Sequence, residues 1–371
     1  MTTSYWLDEP APPIAQRRLD GSPDAVVVGG GITGCAAALR LAEAGLKVRL
    51  HDAREIAGGA SGRNGGFALR GAAAPFDVTV ETIGRDAAVW LWRQTEQALD
   101  RLEELSGDAL RRTGSLRLAA DDEERDALAA ELEGLRAGGF AAEWVEEPLE
   151  GRFRAAIFHP PDAALQPARL VRRLAVRAAE AGVEFRERSR VGSLDELDAD
   201  HVLVATDGYP SGLLGELEGL IVPTRGQMIA TEPLAERVFD CPHYGRHGFD
   251  YWQQTPDGRI LAGGFRDSAL QDEFTTDELT TPRIQGALED FVAALVSRPL
   301  RVDYRWAGLF GLVLDFLPVV GPVPGHERTW VAGGYSGHGN VLGFLCGELV
   351  AGAILGRPVP ELTLFDPARL L

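Results

Sequence analysis

The sequence predicts an α/β fold in which a discontinuous Rossmann-type nucleotide-binding domain carries a second, antiparallel-sheet α+β domain. Three observations lead there. Residues 24–52, DAVVVGGGITGCAAALRLAEAGLKVRLHD, read as strand, glycine turn, helix and strand. Residues 329–356 again read as strand, glycine loop and helix, at the other end of the chain. The block 222–315 is dominated by strands and turn signals. This pattern places 21–76, 151–221 and 316–371 in the nucleotide-binding domain, 77–150 and 222–315 in the second domain, and 1–20 in an N-terminal strap.

The elements follow in order. Residues 1–20, with the proline-rich EPAPP run, read as an ordered or semi-ordered strap. Ala25 to Val28 is an apolar run of strand length, Ile32 to Ala44 a buried helix closed by Gly45, and Lys47 to Leu50 a second strand. Between 85 and 105, Ala88, Trp92, Thr95, Leu99, Leu102 and Leu105 recur at helical spacing. Ser115 to Ala119 is a strand, and DDEERDALAAELEGLRAGG a charged helix whose acids form a solvated face. Leu170 to Ala181 is a helix stopped by Gly182, followed by strands VEFRERSRV and HVLVAT. VPTRGQMIATEP, DYWQQTPDGRILAGGF and LRVDYRW are strands, with PDG as a hairpin turn.

A chain of 371 residues, 45% hydrophobic, can bury a sizeable core in two domains. Its formal charge of −18 repels polyanions, so no nucleic-acid partner is expected. No apolar run reaches the length of a membrane span, and the first twenty residues lack the order of a secretory signal, so the expected address is cytoplasmic. Cys35, Cys241 and Cys346 show neither a disulfide framework nor metal-ligand spacing, the histidines form no HxH or HExxH pattern, and no metal site is expected. Monomer and homo-oligomer both remain open.

Gly29-Gly30-Gly31-Ile32-Thr33-Gly34 satisfies GxGxxG between a strand and a helix, and Asp52 ends the next strand. Each part answers a need of a bound dinucleotide. Gly29 permits the tight turn, Gly31 lets the backbone approach a pyrophosphate, and Gly34 lets the helix pack closely on the strand. The helix N-terminus at Ile32 and Thr33 offers N–H groups and partial positive charge to phosphates. Asp52 suits ribose hydroxyls and disfavours a 2′-phosphate, with Ala53 and Arg54 as further contacts.

Directly after the acid comes GGASGRNGGF (58–67), which taken alone fits a linker as well as a cradle. Its counterpart is VAGGYSGHGN, a glycine loop opening a helix near the C-terminus. Beyond what NAD requires, an extended FAD needs a second such site, where N–H groups face the flavin edge that gains negative charge on reduction.

In their joint order GGGITG, HD, GGASGRNGGF, VPTRGQMIATEP, QTPDGRILAGG, LDFLPVVGPVPG and GYSGHGN resemble the D-amino-acid oxidase (DAO) superfamily of FAD-dependent oxidoreductases. The SYWL segment and the ASGRNGG loop are most similar to its γ-glutamylputrescine oxidase-like branch. The resemblance runs from about residue 4 to 355 and implies a glutathione-reductase-like FAD domain of DAO type, with a substrate domain above it. It also implies that Gly59, Ala60, Ser61, Arg63, Asn64, Gly65 and Gly66 run beside the pyrophosphate, ribityl chain and flavin, with Arg63 pairing a phosphate. Val191 matches an adenine contact, and Ala205, Thr206 and Gly208 lie near the ADP moiety. Gly334, Gly337, His338, Gly339 and Asn340 match the loop at the flavin's pyrimidine end, His338 acting through ring or backbone.

Departures from the family pattern carry information. WAGLFGLVLD (306–315) lacks the cysteine that attaches FAD in sarcosine oxidase relatives, so non-covalent FAD is expected. Asn340 and Val341 stand near that group's carboxylate-binding lysine, and Phe310 stands where glycine and D-amino-acid oxidases carry an arginine. Both changes favour an amine without a carboxylate. Leu261 falls near the lysine used for oxygen activation, leaving O2 or another electron acceptor open.

The resemblance implies hydride transfer to flavin N5 from the C–H next to a neutral amine nitrogen, in a site that excludes water, giving an imine and then an aldehyde. Tyr251, Trp306 and His338 are the candidates nearest the chemistry, and Trp252, Arg266 and Phe310 candidate substrate walls. Each aromatic also fits core packing, and Arg266 also fits a surface salt bridge. The leading reading is a small-molecule amine oxidase or dehydrogenase for a polyamine or acyl-polyamine. Its rivals are a glycine, sarcosine or D-amino-acid oxidase, a tRNA-modifying flavin module, and a flavin-binding protein without turnover.

Overall fold

A strand buried at every position must lie inside a sheet covered on both faces, and Ala25–Val28 is such a strand. In the computed structural model, which describes residues 3–15, 17–209, 212–217 and 219–371, it pairs in parallel with His201–Val204 on one side and Val48–His51 on the other. Residues 1, 2 and 16 of the expected strap, and 210, 211 and 218 of the expected 151–221 segment, lie outside the described residues. The six-stranded sheet runs Val319–Pro322, Thr329–Gly333, His201–Val204, Ala25–Val28, Val48–His51, Glu184–Arg186, and only its first pair is antiparallel. Ala25 and Val27 enter the main core, whereas Val26 and Val28 pack with Val202 and Val204 in a separate cluster, so both faces are apolar.

Two helices meet on this sheet because their contact residues are small. Ile32–Glu43 packs closely against Gly339–Ile354, and Cys35, Ala36, Ala37, Leu345, Cys346 and Ala351 are almost wholly buried. A Cβ at Gly347 would stand 2.5 Å from the Thr33 carbonyl oxygen. The same small residues bring both helix N-termini to one edge of the sheet.

Eight further strands form a mostly antiparallel sheet in the order Val302–Leu312, Val222–Pro233, Arg259–Gly264, Asp250–Gln254, His243–Gly245, Ser115–Ala119, Ala155–His159, Glu143–Glu146. A small three-stranded sheet, Phe67–Ala68, Ala163–Leu165 and Leu110–Arg111, follows the first glycine stretch. The long helix Arg85–Ser106 packs on Gly339–Ile354, and Pro282–Val296 covers the larger sheet.

Three expectations are corrected. Ala155–His159 pairs with Ser115–Ala119 and Glu143–Glu146 in the larger sheet, so strand pairing carries that sheet past the border drawn at 151. The strand read in VEFRERSRV stops at Arg186, because Arg188 turns into the left-handed region (φ 53°). In Asp122–Ala137, Glu124 and Glu131 face inward, Glu131 pairing with Arg117 at 2.6 Å, so that helix is not solvated all round.

Gly347→Ala should cost about 1–3 kcal/mol through overpacking against Thr33 and Ala36. Gly352→Ala, with its nearest neighbour at 3.4 Å, should be neutral or stabilising by up to about 1 kcal/mol. Denaturant unfolding of both variants decides; equal losses would contradict the close helix contact.

Candidate functional site

The site is built where two glycine-rich segments meet. At the end of Ala25–Val28, Gly29 takes a φ of +118° to turn the chain. The next helix has Gly31 as N-cap and no side-chain cap; its Ile32 N–H donates to Ser61 Oγ at 3.0 Å. Asp52 folds back on the same turn, Oδ2 accepting from the Gly30 N–H at 2.6 Å and Oδ1 from the Arg54 N–H at 2.6 Å. Burial raises its carboxyl above the usual range, and those two N–H groups oppose the rise.

Residues 63–66 are anchored by their carbonyl oxygens. That of Arg63 accepts from Trp306 Nε1 at 2.8 Å, that of Asn64 from Trp6 Nε1 at 2.7 Å, and those of Gly65 and Gly66 from Gln253 Nε2 at 2.6 and 2.9 Å. The donors come from the N-terminal strap and two different strands of the larger sheet. The Asn64 side chain reaches across to Asn340 in the first turn of the C-terminal helix, the two amides exchanging hydrogen bonds of 3.1 Å each. Asn340 Nδ2 also donates to the Phe67 carbonyl at 2.8 Å. An amide pair thus fastens one glycine segment to the other.

Arg63 is a brace, which corrects the expected phosphate pair. It is 5% exposed; Nε donates to the Gly58 carbonyl and Nη1 to that of Ala307, both at 3.1 Å, and Glu278 lies 3.8 Å away. Glu278 also takes Arg54 at 2.7 Å and the Tyr209 hydroxyl at 2.7 Å.

Two cavities adjoin along these loops. One, of about 340 Å³, is lined in part by Gly29, Gly31, Ile32, Thr33, Asp52, Ala53, Arg54, Gly59, Ser61, Val191, Ala205, Thr206 and Gly339. The other, of about 210 Å³, is lined in part by Arg63, Gly65, Tyr251, Arg266 and His338. Ala60, Asn64, Leu309, Phe310, Gly337 and Asn340 line both, so the cavities lie side by side along a shared wall. Gly34, Gly66, Gly208 and Gly334 line neither; a Cβ there would crowd the Gly29 carbonyl, the Leu165 carbonyl, the Phe310 backbone and Val313 respectively.

Two tryptophans are also reassigned. Strand alternation turns Tyr251 into the smaller cavity and Trp252 away, where it stacks on His243 at 5.1 Å and packs on Phe239 and Phe291. Trp306 is fully buried and acts on the site only through its bond to the Arg63 carbonyl. Arg266 does not form the surface salt bridge that the sequence also allowed, because Arg246 takes both Asp250 and Asp267. Sequence reading missed Tyr335, Tyr209 and Ser189 in the larger cavity and Met228, Tyr244 and His247 in the smaller. Tyr335 lies inside GYSGHG, and its hydroxyl meets Thr33 Oγ1 at 2.9 Å, so the motif itself held that signal.

Burial, assisted by Arg117 and Arg266 and opposed by the Ser336 carbonyl, lowers the His338 imidazole to about 4. Its ring is neutral at pH 7.

The model of the DAO family, described as FAD dependent oxidoreductase, matches residues 24–353. The chain belongs to this family. The DAO assignment agrees with curated relatives: a probable oxidoreductase OrdL of Haemophilus influenzae is 28% identical, with 99% of this chain and 91% of that protein covered. A gamma-glutamylputrescine oxidoreductase of Escherichia coli is 29% identical over 90% of this chain and 84% of its own. Among solved structures, glycine oxidase from Geobacillus kaustophilus superposes with a TM-score of 0.76 at 21% identity, covering 94% of this chain and 99% of that one, and shares the fold.

As a DAO-family protein the chain is an FAD-dependent oxidoreductase, and its residues fit that cofactor. Two helices whose N-cap residues, Gly31 and His338, make no side-chain cap bring their N-termini to the larger cavity, the arrangement a long anionic dinucleotide needs. Among the described residues no cluster of metal-ligand type occurs, and no helix is long and apolar enough to cross a membrane.

Trp6→Phe removes the donor to the Asn64 carbonyl while keeping an aromatic ring, and should weaken FAD retention several-fold with a loss of about 1–3 kcal/mol in stability. Fluorescence titration of apoprotein with FAD reads the first, thermal unfolding the second; unchanged affinity would separate the strap from the site. His338 is shifted down in the folded state, so its stabilising contribution is complete above its ordinary value of 6.5 and is lost as pH falls through about 4. His338→Asn should therefore lessen the fall in stability between those pH values and leave the curve above them unchanged in shape; denaturant midpoints across pH check it.

Proposed function

We propose that the protein oxidises the C–N bond of a primary or secondary amine, giving an imine that hydrolyses to an aldehyde. The observation that carries the reading is the smaller cavity, which shares Asn64, Gly337 and Asn340 with the dinucleotide groove beside it and is walled by Phe67, Met228, Tyr251 and Phe310. Bound FAD supplies the two-electron acceptor for the hydrogen at the carbon next to nitrogen. This chain's own residues do the rest. The GxGxxG turn with Asp52, Ala53, Arg54, Val191, Ala205 and Thr206 holds the ADP half, and Gly59 to Gly65 with Gly337 to Asn340 holds the flavin half. No cysteine lines either cavity, which supports non-covalent binding.

The apolar side of the wall, with Phe67, Met228 and Phe310, is a poor solvent for charge and so favours the neutral amine over its ammonium form. His338, neutral and buried, provides no acid at pH 7. A dependence of turnover on pH above neutrality then belongs to the amine and not to the ring. The gamma-glutamylputrescine oxidoreductase relative supports an amine substrate. With Phe310 at the shared wall, the arginine of glycine and D-amino-acid oxidases has no equivalent at that position. A tRNA-modifying role is disfavoured by the net charge of −18.

An anaerobic panel of amines, including acyl-polyamines and glycine, tests the proposal by following the visible absorbance of the bound flavin. At least one amine should bleach it, with aldehyde formed in equal amount, and rates should rise with pH as the amine loses its proton. A protein that binds FAD yet is bleached by no amine would overturn the reading.

A further inference from the structure

Strand pairing lays a row of polar side chains behind the smaller cavity. Tyr251, which lines that cavity, stands opposite Tyr244 on the next strand, and Tyr244 stands opposite Arg117. Ser115, two residues before Arg117, stands opposite His159. Paired residues and residues two apart share one face of a sheet, so all five point the same way. Beside this row lies a third cavity of about 60 Å³, lined in part by Arg70, Arg117, Glu131, His159, Asp162 and Tyr244. Tyr244, His247, Gly248 and His338 also line the smaller cavity, whereas no residue of this lining belongs to the larger one.

Buried charges are costly unless they are paired, and most here are. Arg117 meets Glu131 at 2.6 Å and Arg70 meets Glu96 at 2.7 Å. Asp162 accepts from Ser115 Oγ at 2.6 Å and from the Arg70 N–H at 3.0 Å. Two donors are left over. Arg70 Nη2 donates to His159 Nδ1 at 3.3 Å, which puts the proton of the neutral ring on Nε2. That Nε2 and Arg70 Nε are buried without a hydrogen-bond partner among the described residues, and both residues are more than nine-tenths buried. Donors so placed take water where there is room, and the cavity exceeds the volume of about 10–15 Å³ that one water needs. Burial pushes the Asp162 carboxyl up to about 6 against the pull of Ser115, Arg70 and Arg112, whereas the His159 ring is lowered well below its usual value. Asp162 can therefore exchange a proton near neutrality.

At the edge of this cavity the backbone is strained. Arg246, His247 and Gly248 take left-handed conformations in succession, with φ of 46°, 54° and 81°. The turn exposes the His247 ring to solvent while His247 also lines both cavities. Glu124 holds it there, accepting from the His247 N–H at 2.9 Å with the ring 3.4 Å away.

We propose that the third cavity is a hydrated proton exit, through which the ammonium group of a bound substrate loses its proton by way of Tyr244, water beside Asp162, and His247. The proposal rests on the amine-oxidation reading above and gives that site its proton path. An aliphatic amine arrives at neutral pH as ammonium, with a pKa of about 10, and must be neutral when it is oxidised. A seated substrate fills the way by which it entered, so its proton leaves elsewhere. One N–H bond breaks, the electron pair stays on nitrogen, and the proton ends in bulk water with no further reactant.

The test follows anaerobic reduction of the FAD-loaded protein in a stopped-flow instrument, with N-acetylputrescine and glycine in parallel, at pH 7 and about pH 10. Tyr244→Phe and His247→Asn should each slow reduction about 10- to 100-fold at pH 7, the lower range for a lost proton-transfer group. At about pH 10, where much of the amine enters already neutral, both should approach the wild-type rate. Added imidazole should restore His247→Asn at pH 7. Asparagine tolerates the left-handed backbone, so this surface variant decides if Tyr244→Phe fails to retain FAD. Variants that match the wild type at pH 7, or that are slowed equally at both pH values, overturn the proton exit and leave amine oxidation standing. If neither amine bleaches the wild-type flavin at either pH, the amine reading fails for these substrates and the proton exit falls with it.

Discussion

Four consecutive peptide carbonyls, from Arg63 to Gly66, hold this site together by accepting hydrogen bonds from two indoles and one buried amide. A stretch with so many glycines loses much backbone freedom on ordering, about 1–2 kcal/mol per residue, and has few side chains with which to offset that loss. Here the scaffold supplies the donors. Trp6, Trp306 and Gln253 are each buried, so their own N–H groups would be costly to leave unmade. Loop and scaffold therefore satisfy each other, and the loop's position is set by three distant parts of the chain.

The consequence is a groove with two fixed ends. Ser61 couples the first glycine segment to the N-terminal helix, and the Asn64–Asn340 pair couples it to the C-terminal helix. Those helices approach closely because glycine and alanine fill their interface. Two favourable sites for negative charge are thereby held at a constant separation before any ligand arrives, so little of the binding energy is spent on ordering. The charge pattern changes along the groove: Glu278 stands beside Arg54 and Arg63, whereas the lining of the smaller cavity holds Arg63 and Arg266 and no acid among the described residues.

Much of this was legible in the sequence, for identifiable reasons. The strand Ala25–Val28, the turn after it and the helix from Ile32 follow from local patterning, which needs no knowledge of distant residues. The strand Val222–Pro233 and the helix after GYSGHG were equally local. What stayed hidden depends on tertiary contact. Alternation shows that Tyr251 and Trp252 face opposite ways, but only packing on Phe239 and Phe291 decides which one meets the cavity. Arg63 looked like a phosphate partner because its carbonyl and carboxylate neighbours, Ala307 and Glu278, lie far along the chain. Arg266 fitted a surface salt bridge as well as a substrate wall because sequence cannot show that Arg246 claims the neighbouring acids. The strap's role was invisible for the same reason: Trp6 matters through Asn64, not through its own surroundings in sequence.

Hydrogen exchange of the backbone amides with and without FAD tests the central claim most directly, that residues 59–66 and the loop at 337–340 form one cofactor cradle. Binding should slow exchange in both segments together, with little change in the outer strands of the larger sheet. Protection confined to the GxGxxG turn, with 59–66 exchanging as in the apoprotein, would contradict it.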